Sequence, residues 1–178
     1  MPKAKLKDIL GPNTSRSDAF SKVKHTLTQM GFSVTEVNDK RPWGGYLVIE
    51  PAHTPLFLET FFADKELPSW LKDKYLSPKV MLWAPGEILS WQYHNKREEH
   101  WKVVAGPVVT FLSETDQQPE SPDIYQMGEI IEIPNGVRHR GGGHESWGII
   151  AEIWGHVDPE NLSTEEDIVR LADRYNRA

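Results

Sequence analysis

Gln92, His94, Glu99 and His139 are side chains whose types and spacing could together hold a metal ion. They lie in two frames, Gly86-x5-Gln92-x-His94-x4-Glu99-x6-Gly106 and Gly128-x5-Pro134-x-Gly136-x2-His139. One amide oxygen, two imidazoles and one carboxylate form an N/O donor set that suits one divalent ion. Zinc is the expectation, with manganese, iron, nickel or cobalt as alternatives. A divalent ion held by a single carboxylate keeps net positive charge, so it can act as a Lewis acid beside a developing oxyanion. A histidine pair alone, such as His94 and His100, is more often structural. The glycines and the proline that frame both segments are what single this set out. His25, His53, His144 and His156 fall outside the pattern and read as surface or rim groups, with His144 near a glycine run.

The elements that must position these groups read mainly as strands. Apolar and β-branched runs at 45–49, 79–84, 89–94, 100–105, 107–112, 129–133 and 147–154 are punctuated by Pro85-Gly86, Gly106-Pro107, Asn135-Gly136 and Gly141-Gly142-Gly143. Many short strands with turn signals imply a barrel or sandwich. Alternation along a strand puts Gln92 and His94 on one face. A helix is expected over 15–30, capped by Ser15 or Ser17, with the stripe Phe20, Val23, Leu27 and Met30, and with Gly31 just past its end. A second helix is expected over 164–176, opened by the capping box Ser163-x-x-Glu166 and burying Ile168, Leu171, Ala172 and Tyr175. Residues 50–78 carry Pro51, Pro55, Pro68 and Pro78 with Phe57, Phe61, Phe62 and Trp70, and read as an excursion over one mouth of the barrel. Residues 114–123 read as an exposed polar loop. The expected division is a helical extension over 1–42, a barrel over 43–157 and a closing helix over 158–178.

At 178 residues and a formal charge of −6, the chain is sized for one domain and is a poor candidate for binding nucleic acid or an anionic membrane. It contains no cysteine, which removes disulfides, thiolate metal sites and thiol nucleophiles. That, with no apolar run of membrane-spanning length and no apolar stretch after the basic Met1–Lys7, gives the expectation of a cytoplasmic protein.

The paired motifs resemble those of the cupin superfamily, with Gln92 in the slot of the usual first histidine. The resemblance extends to the isomerase domain of type II mannose-6-phosphate isomerases. It rests on Arg41-Pro42-Trp43-Gly44; on Leu89-Ser90-x-Gln92-x-His94-x-x-Arg97-x-Glu99-His100-Trp101-x-Val103-Val104-x-Gly106; on Ile133-Pro134-x-Gly136-Val137-x-His139-Arg140; and on Glu166-Asp167-Ile168-Val169-Arg170-x-x-Asp173-x-Tyr175-x-Arg177. It implies a single-domain, mainly β cupin (a double-stranded β-helix, or jelly-roll barrel) flanked by N- and C-terminal helices. It also implies an intramolecular oxidoreductase that interconverts mannose 6-phosphate and fructose 6-phosphate through a cis-enediol. The partner is then a small sugar or sugar phosphate, and a homodimer fits the habit of cupin barrels. The nucleotidyltransferase domain that often precedes this module has no counterpart in the sequence, so sugar-nucleotide synthesis is not expected. Asn176 stands where the pattern has Gly, and Gly141-Gly142-Gly143 replaces Leu-Glu-Asn, at a place where a substrate could be recognised. An isomerase of a free sugar such as D-lyxose or D-mannose, and a non-enzymatic sugar- or metal-binding cupin, are the alternatives.

Two groups are candidates for the proton transfer. Glu152 shares a strand face with Ile150 and Trp154, where apolar surroundings raise a carboxyl pKa into a useful range, although a structural ion pair explains it equally. Lys79 matches a lysine of the family pattern, with a solvated strand end as the alternative. Arg97 and Arg140 follow the ligand segments and are candidates to grip a phosphate bidentately. Arg174 and Arg177 are further candidates, unless they only complement a helix end. Trp43 is placed near the mouth. Trp91 and Trp101 are either core or pocket lining.

Overall fold

The computed structural model describes residues 4–63 and 77–177. After a short helix α1 (Ala4–Lys7) come α2 (Arg16–Gln29), β1 (Val34–Arg41), β2 (Gly44–Ile49), a 3-10 turn and α3 (Thr54–Phe62). Then follow β3 (Lys79–Trp83), β4 (Trp91–Tyr93), β5 (Arg97–Ala105), β6 (Val108–Ser113), β7 (Asp123–Tyr125), β8 (Ile130–Ile133), β9 (Arg138–Gly143), β10 (Gly148–His156) and β11 (Val169–Ala172). Two sheets face each other. One has the order β1-β2-β3-β10-β5-β8 and the other β11-β4-β9-β6-β7. The described pairings of these strands are antiparallel. Among the described residues no helix is long and apolar enough to cross a membrane.

The inner strands of the larger sheet are covered on both faces, which is why all nine residues of β10 are buried. Ile149, Ala151 and Ile153 pack with Val80, Leu82, Phe20, Val23, Leu27, Phe57 and Phe61 beneath α2 and α3. Ile150 looks the other way, into a second cluster with Met81, Trp83, Trp101, Val103 and Ile133 inside the barrel. Period-2 alternation therefore sends Lys79, Arg97, Glu99, Glu152 and Trp154 to the interior face along with Ile150, Met81 and Trp101. Register finishes the placement: Glu152 stands between Lys79 on β3 and Trp101 on β5, and Trp154 lies opposite Glu99.

The first expected helix forms as its signals imply. Ser15 caps it by accepting from the Asp18 amide at 3.1 Å. Gly31, at φ +94°, closes it as the Phe32 amide donates to Leu27 O and the Gly31 amide to Thr28 O. The excursion differs from expectation. Phe57, Phe61 and Phe62 bury on the outer face of the larger sheet, under α3, and not over a mouth of the barrel. Pro68 and Trp70 lie outside the described residues.

The expected C-terminal helix does not form. Instead β11 pairs with β4, matching Val169 to Tyr93, Arg170 to Gln92 and Ala172 to Trp91. The free edge of β4 offers backbone partners along a short extended segment, and that pairing outweighs an apolar spacing that happened to suit a helix. The capping box is used differently too. Ser163 Oγ donates to Asp167 at 2.7 Å and accepts from Arg97 at 3.0 Å.

The glycine run is a packing device. A Cβ on Gly141 would come within 2.3 Å of the Trp83 ring, and one on Gly142 or Gly143 would meet the backbone of Glu87 or Ala84 at 2.4 or 2.3 Å. Gly141→Ala should therefore destabilise the protein by about 1–3 kcal/mol, the usual cost of overpacking. A denaturant midpoint indistinguishable from wild type would show that the barrel does not need this close approach.

Candidate active site and metal centre

His94, Glu99 and His139 reach one point from β5, β9 and the turn after β4. Their ligating atoms all lie within 4.8 Å of one another, and all three residues are buried. Glu99 Oε1 is 3.1 Å from His94 Nε2, and Glu99 Oε2 is 3.6 Å from His139 Nε2. The outer nitrogen of each ring is tied to the backbone. His94 Nδ1 donates to Asp167 O at 2.5 Å, and His139 Nδ1 to Val137 O at 2.9 Å. These bonds fix the orientation of each ring, so both Nε2 atoms are turned towards the carboxylate.

Electron pairs that face each other in a dry interior require a cation. Burial holds the His139 imidazole neutral, with a pKa pulled down to about 4 despite the attraction of Glu99. Burial also pushes the Glu99 carboxyl up, but the His94 and Arg97 charges outweigh it and hold it well below the usual range. Glu99 Oε2 and His139 Nε2 are buried with no hydrogen-bond donor among the described residues. A divalent ion between them would satisfy both, so the donor set fits a metal, and the His/Glu triad could hold one. Gln92 faces His139 across the β4–β9 pair, and its amide oxygen accepts from Ser90 Oγ at 2.5 Å.

Beside the triad is a cavity lined by Trp43, Lys79, Gln92, Glu99, Glu152 and Trp154, among others. Burial, then the Glu99 charge, push the Glu152 carboxyl up against the pull of Lys79 and Arg97. Trp101 Nε1 donates to Glu152 Oε1 at 3.0 Å. Burial pushes the Lys79 ammonium down, opposed by Glu152. Lys79 also pairs with Glu165 and lies 3.9 Å from the centroid of the Trp154 ring. The two candidates for proton transfer are thus cross-strand neighbours on the cavity wall, one row from Glu99.

The arginines divide differently from the sequence expectation. Arg97 is a buried counter-charge. Its Nε donates to Glu99 at 2.7 Å, Nη1 to Ser163 Oγ and Thr164 O at 3.0 Å each, and Nη2 lies 3.2 Å from His94 Nε2. With every nitrogen engaged and its plane 3.7 Å from the centroid of the Trp154 ring, it is not placed to grip a phosphate. Arg140 follows His139 on β9 and so faces outward, donating to Leu89 O at 2.8 Å and Gln118 at 2.9 Å. Arg174 is half-exposed and donates to Gly86 O at 3.0 Å. Neither lines the cavity.

Sequence reasoning missed three contributors. Asp167 receives the Asn95 and Lys96 amides at 3.0 Å each, fixing the chain beside His94. Arg41 and Arg170 line the cavity. All three lie in blocks that carried the family resemblance, and that was their available signal.

Comparison with known proteins agrees with this architecture. No protein-family model matches the chain. Mannose-1-phosphate guanylyltransferase of Salmonella montevideo is 37% identical over 172 residues, covering 95% of this chain and 30% of the relative. The enzyme of the same name from Escherichia coli K12 is 33% identical over 139 residues, or 77% of this chain and 22% of the relative. Among solved structures, the capsular polysaccharide assembling protein CapF of Staphylococcus aureus superposes with a TM-score of 0.54 at 17% identity, over 88% of this chain and 38% of that one. Oxalate decarboxylase of Bacillus subtilis superposes with a TM-score of 0.54 at 16% identity, over 79% of this chain and 31% of that one. The likeness to these structures is one of fold, and the fold is that of a cupin. This cupin spans 22% to 30% of the length of these guanylyltransferases.

Replacing His94 or His139 by Ala should abolish retention of one equivalent of divalent metal while the barrel stays folded. Elemental analysis after gel filtration, with circular dichroism alongside, checks this. Full occupancy in the double variant would remove the triad from consideration as the metal centre.

Proposed function

We propose that this cupin is a metal-dependent aldose–ketose isomerase that interconverts mannose 6-phosphate and fructose 6-phosphate. The carrying observation is the shared cavity, where a buried His/Glu triad suited to a metal adjoins a buried carboxyl–ammonium pair on neighbouring strands. A metal held by His94, Glu99 and His139, with Gln92 as a fourth donor, would supply Lewis-acid stabilisation of the oxygens on C1 and C2.

The chain's own residues account for the proton movements. Glu152, with its pKa raised by burial, takes the proton from C2 of the aldose. The electrons left behind form the C1–C2 double bond, and the C1 carbonyl oxygen gains a proton, giving the cis-enediol. Loss of the O2 proton then forms the C2 carbonyl as Glu152 returns a proton to C1, which leaves the ketose. Lys79, with its pKa lowered by burial, is positioned beside Glu152 to give and take the hydroxyl proton. Trp101 holds Glu152 in place through its indole N–H. The apolar wall of Trp43, Met81 and Leu89 keeps bulk water from the enediol.

Glu152→Gln should lower kcat by roughly a hundredfold or more, the scale of a lost general base, with metal content unchanged. Lys79→Met tests the rival assignment, because near-normal turnover in Glu152→Gln with collapse in Lys79→Met moves the base to Lys79. Turnover in heavy water should place deuterium at C1 or C2. Products free of deuterium would replace the enediol with a hydride shift.

A further inference from the structure

We propose that Arg41, Arg170 and Arg177 form the subsite that takes the phosphate of the substrate, an inference that rests on the isomerase reading above. The three come from separate stretches of chain. Arg41 ends β1, Arg170 sits in β11 and Arg177 follows it, yet all line the cavity that holds Glu99, Lys79 and Glu152. Arg170 and Arg177 also line an outer groove with Asp173 and Asn176. They therefore mark the mouth, while Lys79 and Glu152 mark the wall beside the triad.

Charge balance points the same way. The cavity wall carries the cations Arg41, Lys79, Arg97, Arg170 and Arg177 against the carboxylates Glu99, Glu152 and Glu165. Lys79 pairs with the exposed Glu165, and Arg97 with the buried Glu99. The wall thus carries five cationic side chains to three carboxylates, and Asp173 offsets part of the difference through two contacts of 2.8 Å with Arg177. Burial lowers the Arg170 pKa, and the Arg177 and Arg41 charges lower it further against the pull of Asp173. Like charges gathered at a partly dry site are relieved by an anion, and guanidinium groups match phosphate oxygens bidentately.

The scaffold holds two of these arginines in place. Arg16 donates to Asp39 O at 3.0 Å, Arg41 O and Gly44 O at 2.6 Å each, and Pro42 O at 3.2 Å, clamping the turn that carries Arg41. The β11–β4 pairing fixes Arg170 opposite Gln92. Neither arrangement depends on the ligand.

Calorimetry on the metal-loaded protein tests the subsite without catalysis, using sorbitol 6-phosphate and sorbitol, which cannot isomerise. The wild type should bind the phosphorylated polyol at least about a hundredfold more tightly, and inorganic phosphate should displace it but not sorbitol. Arg41→Gln with Arg170→Gln should cost roughly ten- to hundredfold per guanidinium for sorbitol 6-phosphate and leave sorbitol unchanged. Arg140→Gln, on the outward face, should change neither. Equal wild-type affinity for the two polyols overturns the subsite, as does a loss in Arg140→Gln equal to that of the double variant. If the double variant does not fold, the phosphate competition on wild type decides alone. Turnover separates the two readings. Tight, arginine-dependent binding of sorbitol 6-phosphate with no isomerisation of any aldose keeps the subsite and rejects the isomerase. Isomerisation of free mannose with no phosphate preference does the reverse.

Discussion

Glu99 and Glu152 stand inside an apolar barrel, and anions there need cations within reach. Desolvating a carboxylate costs several kcal/mol unless charge and hydrogen bonds are returned to it. The arrangement around them answers that demand. Arg97 reaches Glu99 from the same strand face, and Lys79 stands beside Glu152 on the next strand. Arg97 also ties the segment at 163–167 to the barrel through Ser163 Oγ and the carbonyl oxygens of Thr164 and Asp167. Asp167 in turn orients His94 through its main-chain oxygen. The closing segment of the chain is thus held by the charges it covers. Arg97 supplies one positive charge, but Glu99 Oε2 and His139 Nε2 still face each other with no donor among the described residues.

The same strand periodicity that builds the core sorts the charged residues by role. On β5, Arg97 and Glu99 turn inward with Trp101 and Val103. On β9, His139 turns inward and Arg140 outward, so adjacent residues of one motif serve different faces. This limits what a motif can say about function: a conspicuous arginine beside a ligand need not share its cavity. Two less conspicuous arginines, Arg41 and Arg170, do reach the cavity, because hairpin and edge-strand pairing carry them there.

Much of the site was legible in the sequence because it depends on local spacing. Gln92 and His94 are two apart, Glu99 is five further on, and the turn at Pro134-Asn135-Gly136 delivers His139. The helix at 16–29 was legible because its cap, stripe and closing glycine all lie within it. The C-terminal strand was not, because Ile168, Leu171, Ala172 and Tyr175 satisfy a helical period. Only the free edge of β4, set by distant residues, decides otherwise. β9 was hidden for a related reason. Arg138–Gly143 has little intrinsic strand preference, and its glycines are required by the Trp83 ring and the backbone at 84–88 that they pack against. The use of Arg97 could not be foreseen, since its partners at 163–167 lie over sixty residues away.

Anomalous diffraction from crystals of the zinc-loaded protein, measured either side of the zinc edge, tests the central claim most directly. The account predicts one strong peak at about 2.0–2.2 Å from His94 Nε2, His139 Nε2 and a Glu99 oxygen. It also predicts that Arg97 Nη2 has withdrawn from His94. A peak elsewhere, or no peak with the Arg97 guanidinium still against His94 and Glu99, would contradict it. That result would leave a cupin whose interior carboxylates are balanced by its own arginine and lysine side chains.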